Sequence, residues 1–153
     1  MIGLLKALTS NYILNVTCTA WLTAQVLKTI INLCLTKKFD AERLVGAGGM
    51  PSAHSAFVCS LVMATSKQCG FSAPEFAIAL SFAVVVMYDA MGVRRAAGEQ
   101  AKMLNKIVEE WLNKAQGSEN DNSQVKKLKE LLGHTPLEVL GGALVGIIVS
   151  MLF

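Results

Sequence analysis

The stretch GGMPSAHSA spans residues 48–56 and leads from a glycine-rich polar start into an apolar run. Gly49 lets the backbone turn tightly and approach a ligand closely, and Pro51 suits the first turn of a helix. Ser52 and His54 would then lie at a helix N-terminus, where backbone N–H groups and the helix dipole favour an anion. The stretch therefore indicates either a phosphate site or a helix cap with an incidental histidine.

The composition favours a small integral membrane protein with a single domain over residues 1–153. Hydrophobic residues make up 53% of the chain and charged residues 16%, whereas a soluble domain is roughly 25% charged. The mean hydropathy is +0.47. Because residues 94–133 are strongly polar, a soluble helical bundle is the alternative.

Apolar runs and helical spacing predict an all-α fold. We expect a small integral membrane helical bundle with about four membrane helices, at residues 12–35, 51–66, 75–93 and 136–153. A polar helical hairpin at about 94–133 would separate the last two. Its sequence predicts an amphipathic helix over 94–115 and a shorter one over 124–132.

The first membrane helix carries a mostly polar stripe at helical spacing, formed by Asn15, Cys18, Gln25, Thr29 and Asn32. In lipid this face would turn toward other helices, whereas in water it would face solvent. Lys28, about two turns from the helix end, could snorkel toward the membrane surface. Three glycines of the last helix would allow close packing, and with it a homo-oligomer: Gly141, Gly142 and Gly146.

Four alternating spans would place all the polar candidates for chemistry on one face of the membrane. That face also collects all but three of the 14 lysines and arginines. By the positive-inside rule it is cytoplasmic, and both chain termini lie on the outer face. In a soluble protein the same asymmetry of charge would be a coincidence.

His134 comes just before the last helix, and Glu138 lies four residues further on, on the same helical face. A carboxylate at this spacing can orient an imidazole and stabilise its cation. Thr135 and Glu138 also fit a capping box, which is a purely structural role. His134 can therefore be either a catalytic residue or a surface or capping residue, and its sequence context leaves both roles open.

Two motifs resemble signatures of the type 2 phosphatidic acid phosphatase (PAP2) superfamily: PSAHS at residues 51–55 and GHTPLEVLGG at residues 133–142. The stretch YDAMGVRRAAG at residues 88–98 is similar to a divergent branch of that superfamily, which consists of small membrane proteins of bacteria and plastids. The resemblance covers about residues 36–146. It implies a membrane phosphatase that uses no metal and no cofactor.

The resemblance also implies a role for each polar residue. His134 would attack phosphorus and form a phosphohistidine, Glu138 would orient it, and His54 would protonate the leaving alkoxide. The phosphoryl oxygens would be bound by Gly49, Ser52, Lys37, Lys38, Arg43, Arg94 and Arg95. Three supporting roles are open to Asp89: an ion pair with Arg94, which is favoured, a place in the pocket, or help in holding a cation.

Three positions depart from the superfamily pattern. Its first motif has a lysine, six intervening residues and Arg-Pro, whereas here five residues separate Lys37 from Arg43, and Leu44 replaces the proline. In the superfamily an arginine lies six residues before the nucleophile, whereas here that position is Leu128. Glu138 replaces the usual aspartate.

The sequence thus predicts a multi-pass protein of the cell (inner) membrane that hydrolyses a lipid phosphomonoester, with phosphatidylglycerol phosphate or phosphatidate favoured. The alternative is a non-catalytic lipid- or anion-binding membrane protein with degenerate phosphatase motifs. The expected partners are the lipid phosphate and the membrane. The formal net charge of +3 is small, and we expect no nucleic-acid partner.

Overall fold

The computed structural model describes residues 6, 8–37, 49–115, 128 and 133–153, the side chains of 112–115 excepted. Its main helices are α1 (Tyr12–Thr36), α2 (Ala53–Cys69), α3 (Pro74–Met91), α4 (Val93–Ala115) and α5 (Pro136–Leu152). No strand occurs in the described part of the chain. The predicted all-α class is confirmed.

Local sequence signals set the helix ends. The hydroxyl oxygen of Ser52 accepts a hydrogen bond from Ser55 N, so α2 begins at residue 53 rather than at residue 51, as the sequence had indicated. Gly70 ends α2 with φ +86°, a conformation that a side chain would strain. Thr135 and Glu138 form the reciprocal capping box at the start of α5 that their spacing predicts.

The central helix is α2, which packs against α1, α3 and α5, while α1 also packs against α5. Small side chains make these contacts, as where Ala24 of α1 meets Ala53 and Ala56 of α2, with Val145 of α5 packed against them. Small residues let helix backbones approach closely, which is the usual basis of helix association in membranes.

Two glycines bring α5 into direct backbone contact with α2. A Cβ on Gly142 would meet the carbonyl oxygen of Ser52, and one on Gly146 would meet that of Ala56. The close packing expected at these glycines therefore occurs within one chain, and a homo-oligomer stays a prediction.

Two stretches of the described chain are long and apolar enough to cross a membrane: Tyr12–Thr36, and Pro74–Trp111, which runs through α3 into α4. The apolar helices α2 and α5 have 17 residues each. Their rise of about 25 Å is shorter than the hydrocarbon core of about 30 Å. Large apolar side chains such as Ile78, Val85 and Leu140 are exposed on the outer surface, as suits a bundle surrounded by lipid.

The packed face of α1 differs from the polar stripe noted in the sequence. Asn15 and Cys18 are exposed. The buried face instead consists of Val16, Thr17, Ala20, Ala24, Gln25 and Lys28. Only 3% of Lys28 is exposed, so the expectation that it snorkels to the surface is wrong. The small residues of this face, Ala20 and Ala24 among them, allow α2 and α5 to come close.

The polar hairpin is described in part. The Asn105 side chain donates to the main-chain oxygen of Leu128 and accepts from its N–H, each at 2.9 Å. These bonds join α4 to the returning arm, as a hairpin requires. The short helix expected over 124–132 lies otherwise outside the described residues, as do Lys38 and Arg43.

Candidate functional site

The two histidines of the chain meet at one end of the bundle. His54 is the second residue of α2, and His134 lies two residues before α5. Their ring centroids are 6.3 Å apart, and the ring planes are inclined by 60°. His134 is buried, whereas His54 is exposed. The His54 side of the site is therefore accessible from the surface of the bundle.

His134 is held by both its backbone and its ring. Its N–H donates to the main-chain oxygen of Ala90 at 3.1 Å, which ties the start of α5 to α3. Its Nδ1 lies 3.0 Å from Oε2 of Glu138, and the same oxygen accepts a hydrogen bond from Thr135 N at 3.1 Å. A carboxylate on Nδ1 favours the tautomer with its proton there, which leaves Nε2 with a free lone pair.

Ser52 connects the two helix starts that carry the histidines. Its N–H donates to the main-chain oxygen of Glu138 at 3.0 Å. Ser52 is fully buried, and its Oγ accepts hydrogen bonds from the N–H and the hydroxyl of Ser55. The hydroxyl oxygen expected to bind phosphate thus serves as the cap of α2.

Gly49 and the two arginines occupy different surroundings. Gly49 is half-buried with φ +87°, a left-handed conformation that favours glycine. Nε of Arg94 donates to Asp89 Oδ2 at 2.7 Å, the ion pair favoured from the sequence. Nε of Arg95 donates to Glu99 at 3.3 Å along α4.

Among the described residues, four carry charges that act on His54: Arg94, His134, Lys28 and Asp89. Three of the four are cationic when protonated. Lys37 is exposed at the C-cap of α1, where its N–H donates to Leu33 O. Among the described residues, no group of three or more His, Cys, Asp or Glu side chains could hold a metal ion.

Lys28 is the residue of this neighbourhood that the sequence motifs missed. It lies outside every histidine motif, in the middle of an apolar helix. A signal was nevertheless present, since an ionisable side chain within a membrane helix usually faces the bundle interior and marks a functional site. Gln25, three residues earlier, lies on the same helical face.

Comparisons with known proteins identify one family and one curated relative. The family model described as "Divergent PAP2 family" matches residues 9–149. The chain is 40% identical over 149 residues to the "Uncharacterized membrane protein YuiD" of Bacillus subtilis (strain 168), with 94% of each chain covered. No solved structure matches. The family match includes both histidines, the helices α1 to α4 and most of α5.

Proposed function

This chain belongs to the divergent PAP2 family, and we propose that it is a membrane phosphatase that hydrolyses a lipid phosphomonoester. The observation that carries the proposal is the 6.3 Å separation of the His54 and His134 rings, with Glu138 on the Nδ1 side of His134. One imidazole held by a carboxylate and a second, exposed imidazole beside it suit nucleophilic attack and leaving-group protonation.

In the first step, Nε2 of His134 attacks phosphorus and forms a P–N bond, while the bond between phosphorus and the lipid oxygen breaks. Protonated His54 gives its proton to the departing alkoxide, and the lipid alcohol leaves. Glu138 accepts the hydrogen bond from Nδ1 and stabilises the positive charge that the ring of His134 gains. The step needs no metal ion, because charge on the phosphoryl oxygens is offset by cationic side chains.

In the second step, a water molecule attacks the phosphohistidine, and its proton passes to the now neutral His54. The P–N bond breaks, inorganic phosphate leaves, and His134 is restored. His54 ends the cycle protonated, as it began. The exposure of His54 suits this step, since water must reach it.

In the proposed topology, the protein crosses the inner membrane several times and its histidines lie at the cytoplasmic face. The basis is the distribution of positive charge, because all but three of the lysines and arginines would lie on that side. A cytoplasmic site suits a substrate made in that leaflet, such as phosphatidylglycerol phosphate or phosphatidate.

The test is phosphate release by the purified, detergent-solubilised protein from a panel of lipid phosphates, including both of these. We expect release by the wild type and its loss in His134→Ala and His54→Ala. The wild type quenched during turnover should also carry an acid-labile, base-stable phosphoryl group, which His134→Ala should lack. Thermal unfolding of each variant checks that the fold is kept.

The possible results separate the two candidate functions. Undiminished release by His134→Ala would overturn the enzyme proposal. If the wild type binds lipid phosphates but releases phosphate from none of them, the protein is a lipid- or anion-binding membrane protein. Extraction of the protein from membranes without detergent would favour the soluble bundle.

A further inference from the structure

We propose that the groove between α1, α2 and α3 receives one acyl chain of the lipid phosphate and that its depth limits the length of this chain. The groove has a volume of about 290 Å³ and is lined by Ile13 of α1, Leu61 and Thr65 of α2, and Ile78 and Phe82 of α3. The proposal rests on the proposed function, since it places the phosphoryl group of the same lipid at the two histidines.

One face of α2 leads from His54 to the groove. Leu61 lies seven residues after His54, and Thr65 follows after four more. Positions at these intervals share a helical face. Val58, which lies between His54 and Leu61 on this face, is apolar. At 1.5 Å per residue, Leu61 lies about 10 Å from His54 along the helix and Thr65 about 16 Å. A chain that follows this face therefore enters the groove.

The facing side of α3 repeats this arrangement. Asp89 carries a charge that acts on His54, and Phe82 and Ile78 precede it at intervals of seven and four residues. The helices α2 and α3 pack together and are joined by the short segment 70–73, so they are antiparallel. Phe82 and Ile78 therefore lie about 10 Å and 16 Å from the histidine site, at the same depths as the groove residues of α2.

The charges at the two ends of the groove favour a lipid with its phosphate at the histidines. The far end of the groove is marked by Glu75, which is exposed at the start of α3. Its carboxylate would repel the phosphate of a lipid that entered from that end. At the near end, Arg94 is a cation that acts on His54. The polarity of the groove therefore matches a chain that extends away from the histidines.

The groove selects the chain by shape, because the surrounding lipid tails are as apolar as its lining. Its volume of about 290 Å³ is close to the lower limit of roughly 300 Å³ for ligand pockets, which suits one chain and leaves the second in the bilayer. One leaflet of the hydrocarbon core is about 15 Å thick. An ordinary chain therefore reaches Ile78 and ends before Glu75, which lies about 21 Å from the site.

The experiment measures kcat and KM of the purified full chain in detergent for phosphatidates with chains of six to sixteen carbons. Leu61→Trp fills the groove near the histidines, and Ile78→Trp fills it deeper in the bilayer. The matched control is Val84→Trp, because Val84 is also exposed on α3 but lies outside the groove lining. Each KM is divided by the wild-type value at the same chain length. Thermal stabilisation by the same lipids measures binding without hydrolysis.

In Leu61→Trp, the KM should rise about tenfold for sixteen-carbon chains and stay within about twofold for six-carbon chains, because only the longer chain meets the added ring. In Ile78→Trp, the rise should begin at longer chains. The two onsets should differ by about five carbons, since the depths differ by about 6 Å and an extended chain advances about 1.3 Å per carbon. Val84→Trp should follow the wild type at every length.

A KM ratio that does not depend on chain length in Leu61→Trp and Ile78→Trp would overturn the chain assignment, and so would an equal dependence in Val84→Trp. If Leu61→Trp does not fold, Ile78→Trp decides, because Ile78 is exposed and its site tolerates a larger side chain.

The thermal measurement separates this inference from the phosphatase. If the wild type hydrolyses no lipid phosphate, the phosphatase is contradicted, but stabilisation that grows with chain length and is lost in Leu61→Trp would leave the groove standing. Equal stabilisation of the wild type and both groove variants would contradict the groove. Equal stabilisation by phosphatidylcholine, lost in the same variants, would show a lipid unrelated to the histidines and would also overturn the assignment.

Discussion

Ser52 N donates a 3.0 Å hydrogen bond to the main-chain oxygen of Glu138, which joins the start of α2 to the first turn of α5. The Glu138 side chain contacts Nδ1 of His134, and His54 follows Ser52 by two residues. This pair therefore sets the distance between the two histidines. Changes that separate α2 from α5 should therefore lower activity even when both histidines are kept.

Gly142→Ala should destabilise the protein, because its Cβ would meet the carbonyl oxygen of Ser52. We expect a loss of about 1–3 kcal/mol, typical of overpacking, and reduced phosphate release. Thermal unfolding in detergent measures the first effect. The control is Gly141→Ala, whose Cβ would meet the flexible end of Met50. Equal stability of the two variants would contradict the backbone contact between α2 and α5.

Glu138→Gln should lower kcat by about 10²–10⁴-fold, as loss of the carboxylate does in other histidine sites. The amide can still accept a hydrogen bond from Thr135 N, so the cap of α5 and the Tm should change little. Glu75→Gln is the matched control, since Glu75 also lies in the first turn of an apolar helix that begins with proline. A kcat within twofold of the wild type in Glu138→Gln would remove the carboxylate from the mechanism.

Gly49→Ala and Gly70→Ala test the loop before α2. The two glycines have φ +87° and φ +86°, so each alanine should cost about 1–2 kcal/mol of strain. Gly70 has open space around its Cβ position and lies at the far end of α2. Similar losses of Tm are therefore expected, with reduced phosphate release in Gly49→Ala alone. Equal losses of activity would show that the Gly49 segment has no special part in the site.

Arg94→Gln should raise KM for the lipid phosphate by about tenfold, because a cation that acts on His54 is removed. Its ion pair with Asp89 is exposed on both sides, so the stability should change by less than about 1 kcal/mol. The control is Lys102→Gln, an exposed cation further along α4. Equal changes of KM in the two variants would indicate a general effect of surface charge.

The proposed orientation predicts different labelling of two exposed cysteines. Cys69 ends α2 on the expected outer face, and Cys34 lies near the end of α1 on the expected cytoplasmic face. In variants that keep one of these cysteines, a membrane-impermeant maleimide should label Cys69 in intact cells and Cys34 only after permeabilisation. The reverse pattern would place the histidines on the outer face.

Much of the fold was predictable because its signals are local. The apolar runs indicated the positions of the membrane helices, and the Thr135–Glu138 spacing gave the capping box seen at the start of α5. Boundaries moved by one to three residues where caps decided them, as Ser52 does for α2. The contact between His134 and Glu138 was also predictable, since residues four apart share a helical face.

The sequence by itself determined the helical class, the two histidine motifs and the family, because helical period and residue spacing are properties of short segments. Only the tertiary structure decided that His54 and His134 lie side by side and that Lys28 is buried where its charge acts on His54. The first fact depends on how α2 packs against α5, and the second on which face of α1 packs against them. That choice is made by the fit of small side chains between helices, which no single segment encodes.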